Sequence, residues 1–169
     1  RTLQVDYSQW EKGKDYPEWM NEISLATISK GYLLPDETPK TAFRRVANTV
    51  AQRLDKPELA NKFFRYMWKG WLNLASPVLS NAPNGESKKD KGMPISCFLT
   101  YVPDTLEGLI GHSSELRWLS VYGGGVGGHW SDVRTVSDIA PGPIPFLHTV
   151  DADMIAYRQG KTRKGSYAA

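Results

Sequence analysis

A chain of 169 residues is long enough for one domain of ordinary size and needs no staples, because such a domain buries roughly 70% of the surface its unfolded chain exposes. Its one cysteine, Cys97, excludes an internal disulfide, and no apolar run approaches the roughly 18 residues of a membrane span, which argues against a disulfide scaffold and a membrane partner alike. With 21 basic and 18 acidic residues, the net charge of +3 is too balanced to argue for nucleic acid or a membrane surface.

Residues 1 to 13 have weak periodicity and are expected to form a lead-in strand or arm. A helix is predicted from Tyr16-Pro17-Glu18, with Asp15 near its N-cap, Trp19, Ile23 and Ala26 on one face, and Gly31 as the stop. Leu33-Leu34-Pro35-Asp36 is a connector. A second helix opens at Thr38-Pro39 and carries Phe43, Val46, Val50 and Leu54 at helical spacing. A third runs from Asp55-Lys56-Pro57 through Leu59, Phe63 and Met67 to about Trp71. Their aromatic stripes are what amphipathic helices need to pack, so they are assigned to the core.

The pattern changes after Leu74. Ala75-Ser76-Pro77-Val78-Leu79-Ser80-Asn81 is short and partly β-branched, and Pro83-Asn84-Gly85 to Lys91 is a polar loop holding the basic cluster Lys88-Lys89-Asp90-Lys91. Met93 to Val102 then alternates as a largely buried strand, with Ile95, Cys97 and Leu99 on one face and Ser96, Phe98 and Thr100 on the other. A lone buried cysteine behaves as a small hydrophobe. The alternative for Cys97 is a redox thiol. Asp104-Thr105-Leu106-Glu107 has the form of a capping box, with Asp104 accepting from the first turn and Glu107 reaching back. The helix it opens carries Leu109, Ile110, Ser113, Leu116 and Leu119 and ends at Gly123. From here strands and helices alternate, which predicts an α/β arrangement with parallel strands.

Gly123, Gly125 and Gly128 satisfy the dinucleotide fingerprint formally, but that motif must leave a strand, and here it leaves a helix. Gly160-Lys161-Thr162 resembles the end of a phosphate-binding P-loop, yet Ile155 stands where that loop needs glycine. Two readings of Gly123 to Gly128 stay open: a backbone free to approach a ligand closely, or a helix-to-strand turn. His112, His129 and His148 are too scattered for a metal site, and no nucleophile elbow is present.

Taken together, Ala75 to Asn81, Pro94-Ile95-Ser96-Cys97, Asp104 to Glu107, Gly123-Gly124-Gly125-Val126-Gly127, Ser131-Asp132-Val133-Arg134 and Gln159-Gly160-Lys161-Thr162-Arg163-Lys164-Gly165 resemble, in order and rough spacing, the successive motifs of the large, catalytic subunit of ribonucleotide reductase. The resemblance covers about residues 15 to 169 and is closer to class I enzymes, of viral or phage type, than to the cobalamin-dependent class. It implies an α/β fold in which an amino-terminal helical region, residues 1–74, precedes the first part of a ten-stranded α/β barrel, residues 75–169. It also implies that Cys97 is the redox cysteine that reduces the substrate ribose and ends in a disulfide with a second cysteine. By the same match Ser76 and Ser96 hold substrate diphosphate and ribose, and Gly125 lies against the ribose. Asp104, Arg134, Gln159 and Arg163 fall to the allosteric effector, with about Val133 to Pro141 as its first loop and Gln159 to Gly165 as its second.

The family's radical-bearing and partner cysteines have no counterpart in these 169 residues. The expectation is therefore an amino-terminal piece, whether a split-gene product, an extein half or a truncated chain, inactive alone. Its expected partners are the carboxy-terminal part of the same subunit, a metal-containing radical-generating small subunit, a second copy bound through the effector-site region, and a thioredoxin or glutaredoxin system. A deoxynucleoside triphosphate or ATP is the expected effector, no metal is bound by the chain itself, and the expected setting is the cytoplasm. A nucleotide-binding regulatory or assembly module without turnover is the other functional class.

Overall fold

The computed structural model describes residues 5–83, 93–157 and 166–169. It forms two units, one running to Pro94 and the other beginning at Ile95.

In the first unit the opening helix, α1 (Glu22–Ser29), starts later than the proline pattern predicts. Asn21 is its cap, accepting from the Ser24 amide at 2.9 Å. Asp15 instead accepts from the Glu11 amide at 3.0 Å, and Pro17 is fully buried in the turns that follow. The buried side carries Leu25 and Ile28, whereas Ile23 is 77% exposed, so the expected Trp19, Ile23 and Ala26 face is not the packed one. Over residues 5–13 there is no strand, only an isolated bridge from Lys12 to Tyr16.

The second helix, α2 (Pro39–Arg53), begins where its cap signal predicts: Thr38 and Thr41 bond each other's backbone amides, and Pro39 fills the first turn, where no amide donor is missed. A short 3₁₀ turn (Pro57–Leu59) leads into α3 (Ala60–Trp68), which packs on α2. Phe43, Ala47 and Met67 from these helices meet Met20, Leu25 and Ile28 in one core. Ala75 to Asn81 resolves into a short helix, α4 (Ser76–Asn81), also packed on α2. The unit boundary at Pro94 therefore lies beyond the change of residue pattern at Leu74.

Among its described residues the second unit holds three parallel strands, β1 (Cys97–Tyr101), β2 (Gly125–His129) and β3 (Ser166–Ala168), in that spatial order. Helix α5 (Leu106–Val121) links β1 to β2, and α6 (Ile144–Ala156), an element not anticipated from the sequence, follows β2. Leu116 of α5 and Val150 of α6 close over Val126 of β2, with Leu119, Trp130, Met154 and Tyr167 around them. The helix cap sits one residue later than the capping-box pattern places it: Thr105 accepts from the Gly108 amide at 3.0 Å, and Asp104 is turned elsewhere. Gly123, with φ of +80°, turns the chain out of α5 in the left-handed conformation that glycine adopts without strain.

Strand β1 keeps the predicted alternation but not the predicted burial. Thr100 is buried against His112 of α5 and Phe98 is half-buried on the same face, while Ile95, Cys97, Leu99 and Tyr101 lie on an open face, Leu99 at 92% exposure. The expectation of a largely buried strand fails because the helices cover one face of the sheet alone. Parallel sheets are ordinarily covered on both faces.

Candidate functional site

The register of the sheet decides what surrounds Cys97. Cys97 pairs with Gly125, and Gly125 with Ser166, so thiol, bare backbone and hydroxyl stand in one row across the open face. A Cβ on Gly125 would lie 3.1 Å from Ser166 Oγ, so glycine leaves room beside that hydroxyl. Ser96 brings its hydroxyl to 4.0 Å from the Cys97 sulfur, and its carbonyl accepts from the Gly125 amide at 2.6 Å. Cys97 is exposed, so the packing role that a buried thiol would have is removed. Three of the residues singled out from the sequence, Ser96, Cys97 and Gly125, are thus neighbours.

Where β1 and β2 end, a second group gathers. Tyr101 and His129 stack with ring centroids 5.9 Å apart, and a hydrogen bond to the Asp132 carboxylate holds the Tyr101 phenol above its ordinary value. Beyond them Arg134 Nε donates to Asp104 Oδ2 at 2.8 Å and Nη2 to the Asp104 carbonyl at 3.3 Å. This pair flanks a cleft of about 230 Å³ lined also by Thr105, Leu109, Val133 and Phe146. Asp104 and Arg134, thirty residues apart in sequence, are therefore brought together. Gln159 and Arg163 lie outside the described residues.

Ser76 belongs to the helical unit, at the first position of α4, where its hydroxyl lies 3.3 Å from that of Tyr32. A residue that the sequence did not mark holds α4 in place. Arg45, 5% exposed at its side chain, donates to both Glu37 oxygens, at 2.7 and 3.1 Å, and to the carbonyls of Ala82 at 2.7 Å and Leu79 at 3.3 Å. Buried guanidinium is tolerated because each N–H edge finds an acceptor. His112 was missed likewise. It lies on α5 four residues before Leu116, a spacing that puts it on the core side, and burial pushes its imidazole below the ordinary value.

Comparison with known proteins agrees with both units. Residues 18–86 match the family described as ribonucleotide reductase, all-alpha domain, and residues 95–169 match ribonucleotide reductase, barrel domain. The chain belongs to the ribonucleotide reductase large-subunit family: its helical unit is the all-alpha domain and its sheet unit is part of the barrel domain. Over 123 residues it is 62% identical to a putative ribonucleoside-diphosphate reductase large subunit of Frog virus 3 (isolate Goorha), covering 72% of this chain and 21% of the relative. Over 149 residues it is 37% identical to the ribonucleoside-diphosphate reductase large subunit of Invertebrate iridescent virus 6, covering 88% of this chain and 15% of the relative. Among solved structures, the alpha subunit of the Actinobacillus ureae class Id ribonucleotide reductase superposes with a TM-score of 0.72 at 28% identity, over 89% of this chain and 27% of that one. The chain thus spans between 15% and 27% of the length of these relatives.

Proposed function

We propose that this chain supplies the redox-cysteine and effector-binding part of a ribonucleoside-diphosphate reductase, active only with the rest of the large subunit and a radical-generating small subunit. The observation that carries the reading is the Cys97 thiol standing open beside the bare backbone of Gly125. A ribose laid on that backbone meets the sulfur without a side chain between them. Reduction of the ribose carbon–oxygen bond takes two electrons, released as two thiols become one disulfide, with the hydroxyl leaving as water. Cys97 gives one sulfur, and the partner thiol comes from the remainder of the subunit. A thioredoxin or glutaredoxin system then reduces the disulfide. By sequence match alone, Ser96, just before β1, is assigned to the substrate's ribose and Ser76 to its diphosphate.

Asp104 and Arg134 are assigned to a deoxynucleoside triphosphate or ATP effector at the 230 Å³ cleft. Only two of the five guanidinium N–H groups of Arg134 are engaged by Asp104, which leaves donors for phosphate. Gln159 and Arg163 are assigned to the same effector response by sequence match alone. Helix α5, whose first turn lines the cleft, exposes Leu106, Ile110 and Trp118, with Tyr122 just beyond its end stacked on Trp118, apolar surface suited to a second copy of the subunit. The chain is assigned to a cytoplasmic setting, and no described helix is long and apolar enough to cross a membrane.

A second reading, a nucleotide-binding module without turnover, is favoured by one observation: the Asp104 and Arg134 cleft is formed within the second unit and does not involve Cys97. One experiment separates the two. The chain is mixed with the remainder of a large subunit, the small subunit, a dithiol reductant and effector, and deoxynucleotide is measured. The enzyme reading expects product over many turnovers, none with Cys97→Ser, and effector binding within about twofold of the unmutated chain, since the change is small and exposed. Multiple turnover by Cys97→Ser excludes the redox role. Effector binding without any product supports the second reading.

A further inference from the structure

Tyr167 is the middle residue of β3 and turns to the covered face of the sheet, into space that exists because residue 128 is glycine; a Cβ there would collide with the Tyr167 hydroxyl. The Tyr167 oxygen accepts the indole N–H of Trp130 and lies 3.1 Å from His112 Nε2. At the other side of the imidazole, Nδ1 lies 3.2 Å from Thr100 Oγ1, and the Thr100 hydroxyl reaches the Gly127 carbonyl at 3.5 Å. His112 is 4% exposed and meets both aromatic rings edge-on, with centroids 5.3 Å from Trp130 and 5.8 Å from Tyr167.

The direction of this chain of bonds follows from its Trp130 end. An indole nitrogen can only donate, so the Tyr167 oxygen accepts from Trp130 and its own proton goes to His112 Nε2. With Nε2 accepting, the neutral ring carries its proton on Nδ1 and donates it to Thr100 Oγ1, whose own proton can then point to the Gly127 carbonyl. That arrangement needs one imidazole: neutral, with its proton on Nδ1. A proton on Nε2 would aim two N–H groups at one phenol oxygen and leave the phenol hydrogen without its acceptor.

Among the described residues of β3, Tyr167 is the one that turns to the covered face, so its side chain carries the register there. A slip of one residue would turn Ser166 and Ala168 into the covered face and Tyr167 out of it. We propose that His112 is a positioning residue: as the neutral ring protonated on Nδ1, it accepts the Tyr167 hydroxyl and locks β3 in the register that sets Ser166 beside Gly125 and Cys97. The lock is read on this chain without substrate, so it stands or falls separately from the reductase reading.

The test uses the full chain with ¹⁵N-labelled histidine. A long-range proton–nitrogen correlation spectrum separates a protonated ring nitrogen from an unprotonated one, and hydrogen exchange reports the amides of residues 166–168. In the unmutated chain His112 should show an unprotonated Nε2 and a protonated Nδ1. Tyr167→Phe keeps the ring and removes the hydroxyl; it should abolish the single-tautomer signature and speed exchange in β3 about tenfold relative to β1, the effect expected from one lost hydrogen bond. His112→Gln, which can still present an acceptor to the phenol, should keep most of the protection that His112→Leu loses. Should Tyr167→Phe fail to fold, the spectrum of the unmutated chain and the Gln and Leu pair still decide. A protonated Nε2, or equal β3 protection in His112→Gln and His112→Leu, would overturn the proposal.

Discussion

Arg134 reaches across thirty residues to hold Asp104 twice, by carboxylate and by carbonyl, so the loop after β2 is tied to the residue that precedes the cap of α5. The guanidinium is 55% and the carboxylate 29% exposed. An ion pair so open to water contributes roughly 0 to 1 kcal/mol to stability. Its importance in the proposed function is instead as a preset anchor for an anion.

Arg134→Ala should therefore weaken deoxynucleoside triphosphate binding by roughly 10 to 150-fold, the equivalent of one charge-assisted bond of 1.5 to 3 kcal/mol. The unfolding midpoint in urea should hardly move. Calorimetric titration measures the first effect, and a loss smaller than twofold would exclude the phosphate contact.

The start of α5 offers a sharper test of local structure. Since Thr105 and not Asp104 bonds the Gly108 amide, Thr105→Ala should cost about 1 kcal/mol of stability, and Asp104→Asn much less. Urea unfolding followed by circular dichroism compares the two, and the reverse order would restore Asp104 as the cap.

For Arg45 the expected loss is larger. Arg45→Met removes one partner of a buried pair and should destabilise the helical unit by roughly 3 to 5 kcal/mol, because the Glu37 charge remains in place. Adding Glu37→Gln should recover only part of it, since the carbonyls of Leu79 and Ala82 still lack their donor. Full recovery in the double variant, read from urea midpoints, would mean that the carbonyl contacts contribute nothing.

His112 sets a pH dependence. Burial lowers its proton affinity in the folded chain, and Glu115, which favours the cation, only partly opposes this. The unfolded chain then takes up the proton first as pH falls, so stability conferred by the neutral ring is complete above about 6.5 and declines as pH drops through that value toward the lower folded one. Each tenfold difference in proton affinity between the two states is worth about 1.4 kcal/mol. Unfolding free energies measured from about pH 8 down to about pH 5 should show this slope, and His112→Gln should flatten it.

What the sequence determined by itself was local or periodic. Thr38-Pro39 starts α2 because cap and proline act within one turn, and the alternation of strand and helix after Cys97 required parallel strands. The shared face of Ile95, Cys97 and Leu99 follows from the two-residue period of any strand. Which side of that strand is covered was decided only when α5 and α6 packed on Val126 of the neighbouring strand and His112 of α5 met Thr100, and this reversed the expected burial of Cys97. The same holds for Asp104, whose capping pattern was sound but lost to Thr105 once Arg134 drew its carboxylate away. Arg45 and His112 left almost no mark in the sequence, because a polar residue becomes a core residue only when acceptors and donors from distant segments close around it. Periodicity fixes which residues share a face; the partners that face acquires are set by contacts far along the chain, and those exist only in the tertiary structure.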